Sequence, residues 1–599
     1  MRRSSLGAAL TAATLVVLSL GSTGAVAQDH KSGAGNGPLK GAKHLVVIYE
    51  ENHSFDNLYG NWGSVGGKHV VGRADATAAH TTQISQAGAP YACLMQDDVN
   101  LSTPPAGPLT PRPECSPETV PFPDATTVAY DSHFANAPFR IDDYIGPQDL
   151  TCPPLDNLFV FPNGVSKTNP PAGARPGGCT RDLVHKFYQE IYQLNGGQQN
   201  RYTTGSDAVG LTMGYYDTKQ LPVYKYLHGK EAPNYVLADH FFQGAFGGSY
   251  LNHQYLIAAQ PPTWSAAPDA NHAVLDSNGN VHAYPLYKPQ YAPGAPTVVD
   301  GNVTQKCDAA AAANGLACGD WTVNTSLPAT QPTSNYAAQI PLIDDTHADL
   351  NIGDRMSDAG VSWAWYSGGW DNAAGNVGGR GYTNGDGTTC SDPNSVPAPA
   401  DSTGVAGAPY CPHRTFQQHH QPFAYYARYA PGTVGRAKHL KDEADFLHQA
   451  RTGHLPKVSF VKPIGEENEH PGYASEPNGS DHLVELIKAV ENGPDGKDTL
   501  IVVTYDEFGG QWDHVSPPGM GTQGAHDQFG PSTRVPALVI GRLLSRSTVD
   551  HNVYDTTSIM ATIEQAYGLQ PVAHPAGVVP RDRFVNTLAH AVELGTTNH

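Results

Sequence analysis

Three places in this sequence set acids or amides directly behind an apolar run: Glu51-Asn52 after HLVVIY, Asp239-His240 after NYVLA, and Asp506-Glu507 after TLIVVTY. Glu51, Asp506 and Glu507 offer carboxylate oxygens and Asn52 a neutral one. Such a set suits one or more hard divalent cations, whose charge offsets the crowding of the acids. Ten residues beyond Asp239 stands Ser249, in GAFGGSYLNHQY. The glycines permit a tight turn or close approach to an anion, and a serine in the first turn of the following helix lies in a field that favours negative charge. Its hydroxyl becomes a nucleophile when a metal or base stabilises the alkoxide. Asn252, three residues on, could offer its amide on the same face. Taken singly, each acid is equally a helix cap or surface pair, and Ser249 an N-cap. The combination favours a site.

Four of the 27 histidines stand at informative positions. His185 falls on a helix expected after Asp182, His420 ends FQQHH, His470 sits in EENEHPGY, and His514 belongs to WDH. Such side chains can donate to a phosphoryl oxygen or protonate a leaving group. The dinucleotide fingerprint GxGxxG, the phosphate loop GxxxxGK[ST], the elbow GxSxG and the zinc motif HExxH are absent.

The elements that must position these groups alternate. Strands are expected at 44–50, 234–242, VSWAWYS, 457–463, 499–507 and 537–541. Helices are expected through LVHKFYQEIYQL with Asp182 as cap, after FGGS, through HLVELIKAVEN and through TSIMATIEQAYGL. This order predicts an α/β fold, a mostly parallel central sheet with helices on both faces, and ligands gathered outside the carboxyl ends of its strands.

Arg2 and Arg3 precede LGAALTAATLVVLSL and then AVAQ, which reads as an export signal, 1–27, cleaved after Ala27. A flexible leader, 28–43, and one catalytic domain, 44–599, follow. Loop-rich insertions are expected around 61–178, 262–335 and 371–411, consistent with 63 glycines and 49 prolines. No later stretch is apolar enough to span a bilayer, and periplasmic or secreted placement follows. Eight cysteines in an oxidising compartment predict disulfides stapling the insertions. A net charge of -20 argues against a general nucleic-acid binder.

Seven stretches, VIYEENHSFDNLYG, DLVHKFYQEIYQLNGGQQNRY, GYYDTKQLPVYKYL, FFQGAFGGSYLNHQYL, FQQHHQPFAYYARY, EENEHPGY and TYDEFGGQWDHVSPP, run in order between about residues 43 and 565. Together they resemble the phosphoesterase family of bacterial acid phosphatases and phospholipase C enzymes, with an alkaline-phosphatase-like α/β/α core. The resemblance implies Ser249 as nucleophile and Glu51, Asn52, Ser249, Asp506 and Glu507 at the metal. It implies His185, His420 and His470 around the phosphate, with Asn252 helping to bind it, and His514 supporting the acidic ligands from behind. Glu507 reaches further than the Asp that can occupy its position. The leading expectation is an acid phosphatase, closest to the acid phosphatase A-like branch, that hydrolyses phosphomonoesters through a phosphoserine, with His470 or His420 protonating the leaving oxygen. The alternative is a phospholipase C cleaving phosphatidylcholine-like lipids, with Trp62, Trp365 and Tyr366 as candidate walls for choline. A binding protein without turnover is the more distant reading, and the intact acids and hydroxyl count against it.

Overall fold

The computed structural model describes residues 39–94 apart from 86–87, 134–145, 179–268 apart from 181 and 207–208, 320–345 apart from 331 and 333–338, 350–383, and 415–597 apart from 575–577. It also describes the short strands at 118–121, 127–130, 272–275 and 304–307. The expected signal, most of the leader and much of the three insertions lie outside the described residues.

Eight strands form the main sheet: β1 (His44–Glu50), β2 (Tyr235–Ala238), β3 (Trp363–Ser367), β4 (Leu440–Asp442), β5 (Val458–Lys462), β6 (Thr499–Tyr505), β7 (Ala537–Ile540) and β8 (Thr548–Asp550). Their spatial order is β4-β3-β5-β1-β6-β7-β2-β8. Five helices matter to the site: α1 (Phe187–Leu194), α2 (Ser249–Ala258), α3 (Glu443–Thr452), α4 (Glu476–Glu491) and α5 (Thr557–Tyr567). The central strands β1, β5 and β6 are continuous buried runs of Val, Ile, Leu and aromatic residues, as a sheet covered on both faces requires. Successive residues of a strand face opposite ways. Tyr49 of β1 accordingly reaches α2, its hydroxyl donating to the Asn252 carbonyl at 3.3 Å. Helix α2 packs on α5, and α3 on α4.

Two parts of the expected architecture are corrected. The sheet is mixed and not fully parallel, because β7 runs antiparallel to both β6 and β2 while the other neighbours pair in parallel. Parallel neighbours need a crossover, usually a helix. Residues 506–536 form no helix, and the chain simply turns back beside β6. The insertions also cannot be described as disulfide-stapled. Cys93 and Cys179 are the cysteines whose side chains are described; neither is a free thiol, yet no bridge joins two such side chains. What visibly ties the described loops down is hydrogen bonding, such as Asn136 to the Gln83 and Tyr91 carbonyls.

Helix α1 starts later than its sequence pattern suggests. Lys186 is its N-cap, so Asp182 is not, and His185 lies on an extended segment ahead of the helix. That segment is pressed against two glycine turns: a Cβ on Gly248 would stand 2.8 Å from the His185 carbonyl, and one on Gly510 2.8 Å from the Val184 carbonyl. Packing against backbone holds it extended where propensity alone favoured a helix.

Candidate active site

Register brings the acids together. Glu50 of β1 pairs with Tyr505 of β6, so Glu51 and Asp506, the next residues, emerge side by side at the carboxyl end of the sheet. The Asp506 amide closes the ladder onto the Glu50 carbonyl at 3.1 Å. Asn52 then turns into the left-handed region, φ 53°, a conformation Asn tolerates better than most residues. Its amide donates to Asp506 Oδ1 at 3.2 Å, and the same oxygen accepts from the Glu507 amide at 2.8 Å.

Ser249 meets this cluster as the first residue of α2, with Gly248 as N-cap. Its Oγ lies 3.0 Å from Glu51 Oε2 and 3.3 Å from Glu507 Oε1, so its proton has two carboxylate acceptors. Gly247 has φ +85°, and a Cβ there would sit 2.5 Å from the Phe187 amide nitrogen. Only glycine permits that turn and approach together. Beneath the turn lies Glu190 of α1, fully buried. Its Oε2 accepts from the Gly247 amide at 2.6 Å and the Gln243 side chain at 3.0 Å. Its Oε1 accepts from the Thr533 amide at 3.2 Å and hydroxyl at 2.6 Å. Gln243 in turn accepts from the Phe508 amide at 2.9 Å, linking the nucleophile turn to the acidic one. Burial nevertheless raises Glu190 to about 7.

The histidines close over the acids. His185 Nε2 stands 3.4 Å from Glu507 Oε1, and His420 Nδ1 3.3 Å from Glu51 Oε1. The Asn52 amide nitrogen lies 2.9 Å from His470 Nε2 and 3.4 Å from His185 Nε2. His470 Nδ1 is 2.7 Å from the Pro471 carbonyl, and its ring stacks on Tyr473 at 3.9 Å. Desolvation holds His420 and His470 well below the ordinary imidazole range, which keeps them neutral.

The structure gathers Glu51, Asn52, Ser249, Asp506, Glu507, His185, His420 and His470 in one place. Asn252 and His514 stand apart from that group. Asn252 is spent on the glycine turn, accepting from the Ala245 amide at 2.8 Å and donating to the Ala245, Gly247 and Gly248 carbonyls. His514 Nδ1 lies 2.5 Å from Asp56 Oδ2, in a buried network with Arg534 and Asp513 that ties the segment after Asn52 to the one after Glu507. Asp239-His240 does not join the acids either. Trp62, Trp365 and Tyr366 are buried packing residues, with polar ends satisfied by Tyr235, Gln421 and Gln449.

Desolvation first, then repulsion from Asp506, pushes Glu51 and Glu507 well above the carboxylate range, and burial raises Asp506 as well. Asn52 Oδ1 and Asp506 Oδ2 are buried and accept no hydrogen bond. Convergent, destabilised carboxylates with two unused oxygens are the environment a divalent cation relieves, so the residues fit the expected metal.

A model of the family described as "Phosphoesterase family" matches residues 137–570. The chain belongs to the phosphoesterase family. It is a phosphoric-ester hydrolase acting on phosphorylated substrates, with acid and histidine clusters suited to divalent metal ions. This phosphoesterase is 21% identical over 586 residues to "Phospholipase C A" of Mycobacterium tuberculosis, covering 94% of this chain and 79% of that protein. It is 28% identical over 149 residues to "Non-specific phospholipase C6" of Arabidopsis thaliana, covering 21% and 28%. Among solved structures, a protein of the alkaline phosphatase superfamily from Vibrio parahaemolyticus aligns over 40% of this chain and 52% of that one at 9% identity, with a TM-score of 0.21, too slight to argue from. Among the described residues no helix is long and apolar enough to cross a membrane.

Sequence reasoning overlooked two residues that line the phosphoesterase centre. Lys462, the last residue of β5, is buried, with Nζ 2.5 Å from Glu51 Oε1 and 2.9 Å from the Tyr49 carbonyl. His253, one turn into α2, has Nδ1 2.7 Å from the Ser249 carbonyl and stacks on His420 with centroids 4.9 Å apart. A signal for Lys462 existed: a lysine ending an apolar strand beside the one that carries Glu51.

Proposed function

We propose that this phosphoesterase cleaves phosphodiesters in the manner of a phospholipase C, with Ser249 as nucleophile. The observation that carries the reading is Ser249 Oγ, fixed at a helix N-terminus and donating to the buried carboxylates of Glu51 and Glu507. The phospholipase C names of the relatives support a diester over the phosphomonoester expected from sequence.

In this scheme Ser249 Oγ attacks phosphorus, its proton passing to the Glu51 or Glu507 carboxylate that the hydroxyl already faces. The bond between phosphorus and the departing alcohol breaks. His185 supplies that oxygen with a proton, since its side chain is 19% exposed against 4% for His420, and solvent can reload it. The N-terminal amides of α2 and the Asn52 amide group orient the phosphoryl oxygens. A divalent ion held by Glu51, Asn52, Asp506 and Glu507 would lower the serine pKa and offset phosphate charge. Water then releases the phosphorylated headgroup from Ser249. With both caging tryptophans buried in the core, the scheme assigns no choline pocket to Trp62 or Trp365. Export after cleavage at Ala27 belongs to the same proposal.

The test is turnover of phosphatidylcholine vesicles and of a simple phosphomonoester by wild type and Ser249→Ala. Diacylglycerol release by wild type and none by the variant is expected. Release of inorganic phosphate from the monoester alone would restore the acid phosphatase reading. Substantial activity in a pure, folded Ser249→Ala preparation would remove Ser249 from the chemistry.

A further inference from the structure

The register that delivers Glu51 beside Asp506 is repeated near the other edge of the sheet. Ala238 of β2 pairs in parallel with Asp550 of β8, so Asp239 and His551 are the next residues on adjacent strands. The Asp239 amide bonds the Asp550 carbonyl at 3.2 Å, and the Tyr554 amide bonds the His240 carbonyl at 2.9 Å, fixing both chains as they leave the sheet. Two imidazoles converge on one carboxylate there. His240 Nδ1 lies 2.8 Å from Asp239 Oδ1, and His551 Nδ1 lies 3.0 Å from Oδ1 and 2.9 Å from Oδ2. The Val71 amide donates to Asp239 Oδ2 at 2.8 Å and orients the carboxylate from behind. The proposed ester chemistry uses none of the three.

We propose that Asp239, His240 and His551 form a second cation site, for a borderline divalent transition ion such as Zn2+. Three protein ligands, two of them imidazole and one carboxylate, leave positions open for water or a small anion and match the donor set such ions take. Tetrahedral bonds of about 2.0–2.2 Å place donor atoms roughly 3.4 Å apart, so each imidazole need move from the carboxylate by only about 0.5 Å. Metal at Nδ1 requires the ring proton at Nε2. The side chains of His240 and His551 are 20% and 50% exposed, so solvent can carry that proton. Asp239 is fully buried and held by Val71, as the oriented carboxylate of a preformed site should be. His551 also lines a cavity of about 300 Å³ with Asn552, Tyr554 and Phe584, giving the open positions room.

The experiment is Zn2+ titration of the full chain against a chromophoric chelator, in wild type, His240→Ala, His551→Ala and Asp239→Asn, with Co2+ absorption as a second readout. Wild type is expected to bind one more ion per chain than each variant, or to bind it at least ~10-fold more tightly, and to show a visible Co2+ band that the variants lose. Ester turnover by His551→Ala is expected to match wild type, which separates this site from the Ser249 centre and confirms the fold of the variant. Equal stoichiometry, affinity and Co2+ spectra across the four proteins would overturn the proposal and leave two histidines that merely hydrogen-bond an aspartate.

Discussion

Glu190→Gln tests how the nucleophile turn is held. The change keeps the side chain's shape but replaces one acceptor oxygen by a donor. Four donors face that carboxylate: the Gly247 amide, the Gln243 side chain, and the Thr533 amide and hydroxyl. The Thr533 hydroxyl can rotate to accept, so the glutamine leaves one buried N–H, the Thr533 amide, without its partner. That costs about 1–3 kcal/mol. Burial raises Glu190 from 4.5 to about 7. An acid raised on folding contributes stability that is complete below its unfolded value and is lost as pH climbs through the folded one. Across that interval the wild type loses about 3 kcal/mol that the variant does not, at ~1.4 kcal/mol per pH unit. Denaturant unfolding of both proteins at pH 4.5 and pH 8 measures the difference, because all other titrating groups cancel. The wild type should be the more stable at the acid end, and the variant should draw level or overtake at pH 8. A stability gap that does not change with pH would refute the raised carboxyl. Unaltered turnover would refute the claim that Glu190 positions Ser249.

Lys462→Gln removes the 2.5 Å ion pair with Glu51 and leaves three buried acids together; chelator-treated protein should lose about 3–5 kcal/mol, and less when a divalent ion is added, read from melting with and without metal. Gly247→Ala forces a Cβ to within 2.5 Å of the Phe187 amide at φ +85°; turnover should fall ~100-fold through displacement of Ser249, and wild-type kinetics would discount the turn. Arg534→Met strips the buried partner from Asp56 and Asp513, each 3.1 Å away; unfolding experiments should register a loss of about 3–5 kcal/mol, whereas a neutral change would mean the network is internally compensated.

Much of the centre was legible in the sequence because its ligands follow strands. An apolar run ending in Glu-Asn or Asp-Glu places those groups at the carboxyl end of a strand whatever the neighbours are, and FGG before SYLNHQYLIA announces a turn and a helix start. The histidines were legible chiefly through resemblance, and the burial that depresses His420 and His470 was not. Asn252 shows the limit of spacing: its position on α2 was read correctly, but the side chain turns back to the glycine turn, where three carbonyls await a donor. His185 shows another, because close backbone contact with Gly248 and Gly510 overrode helical propensity.

The sequence by itself determined six of the eight strands of the main sheet, the nucleophile helix, the chemical type of the clustered side chains and the family, because these depend on local pattern. Only the tertiary structure decided the reversal of β7, the intrusion of Lys462 among the acids, the buried Glu190 under the turn, and the meeting of Asp239 with His551. Each of these depends on which strands become neighbours and in what register. That is settled by packing between residues up to several hundred positions apart, which no local pattern records.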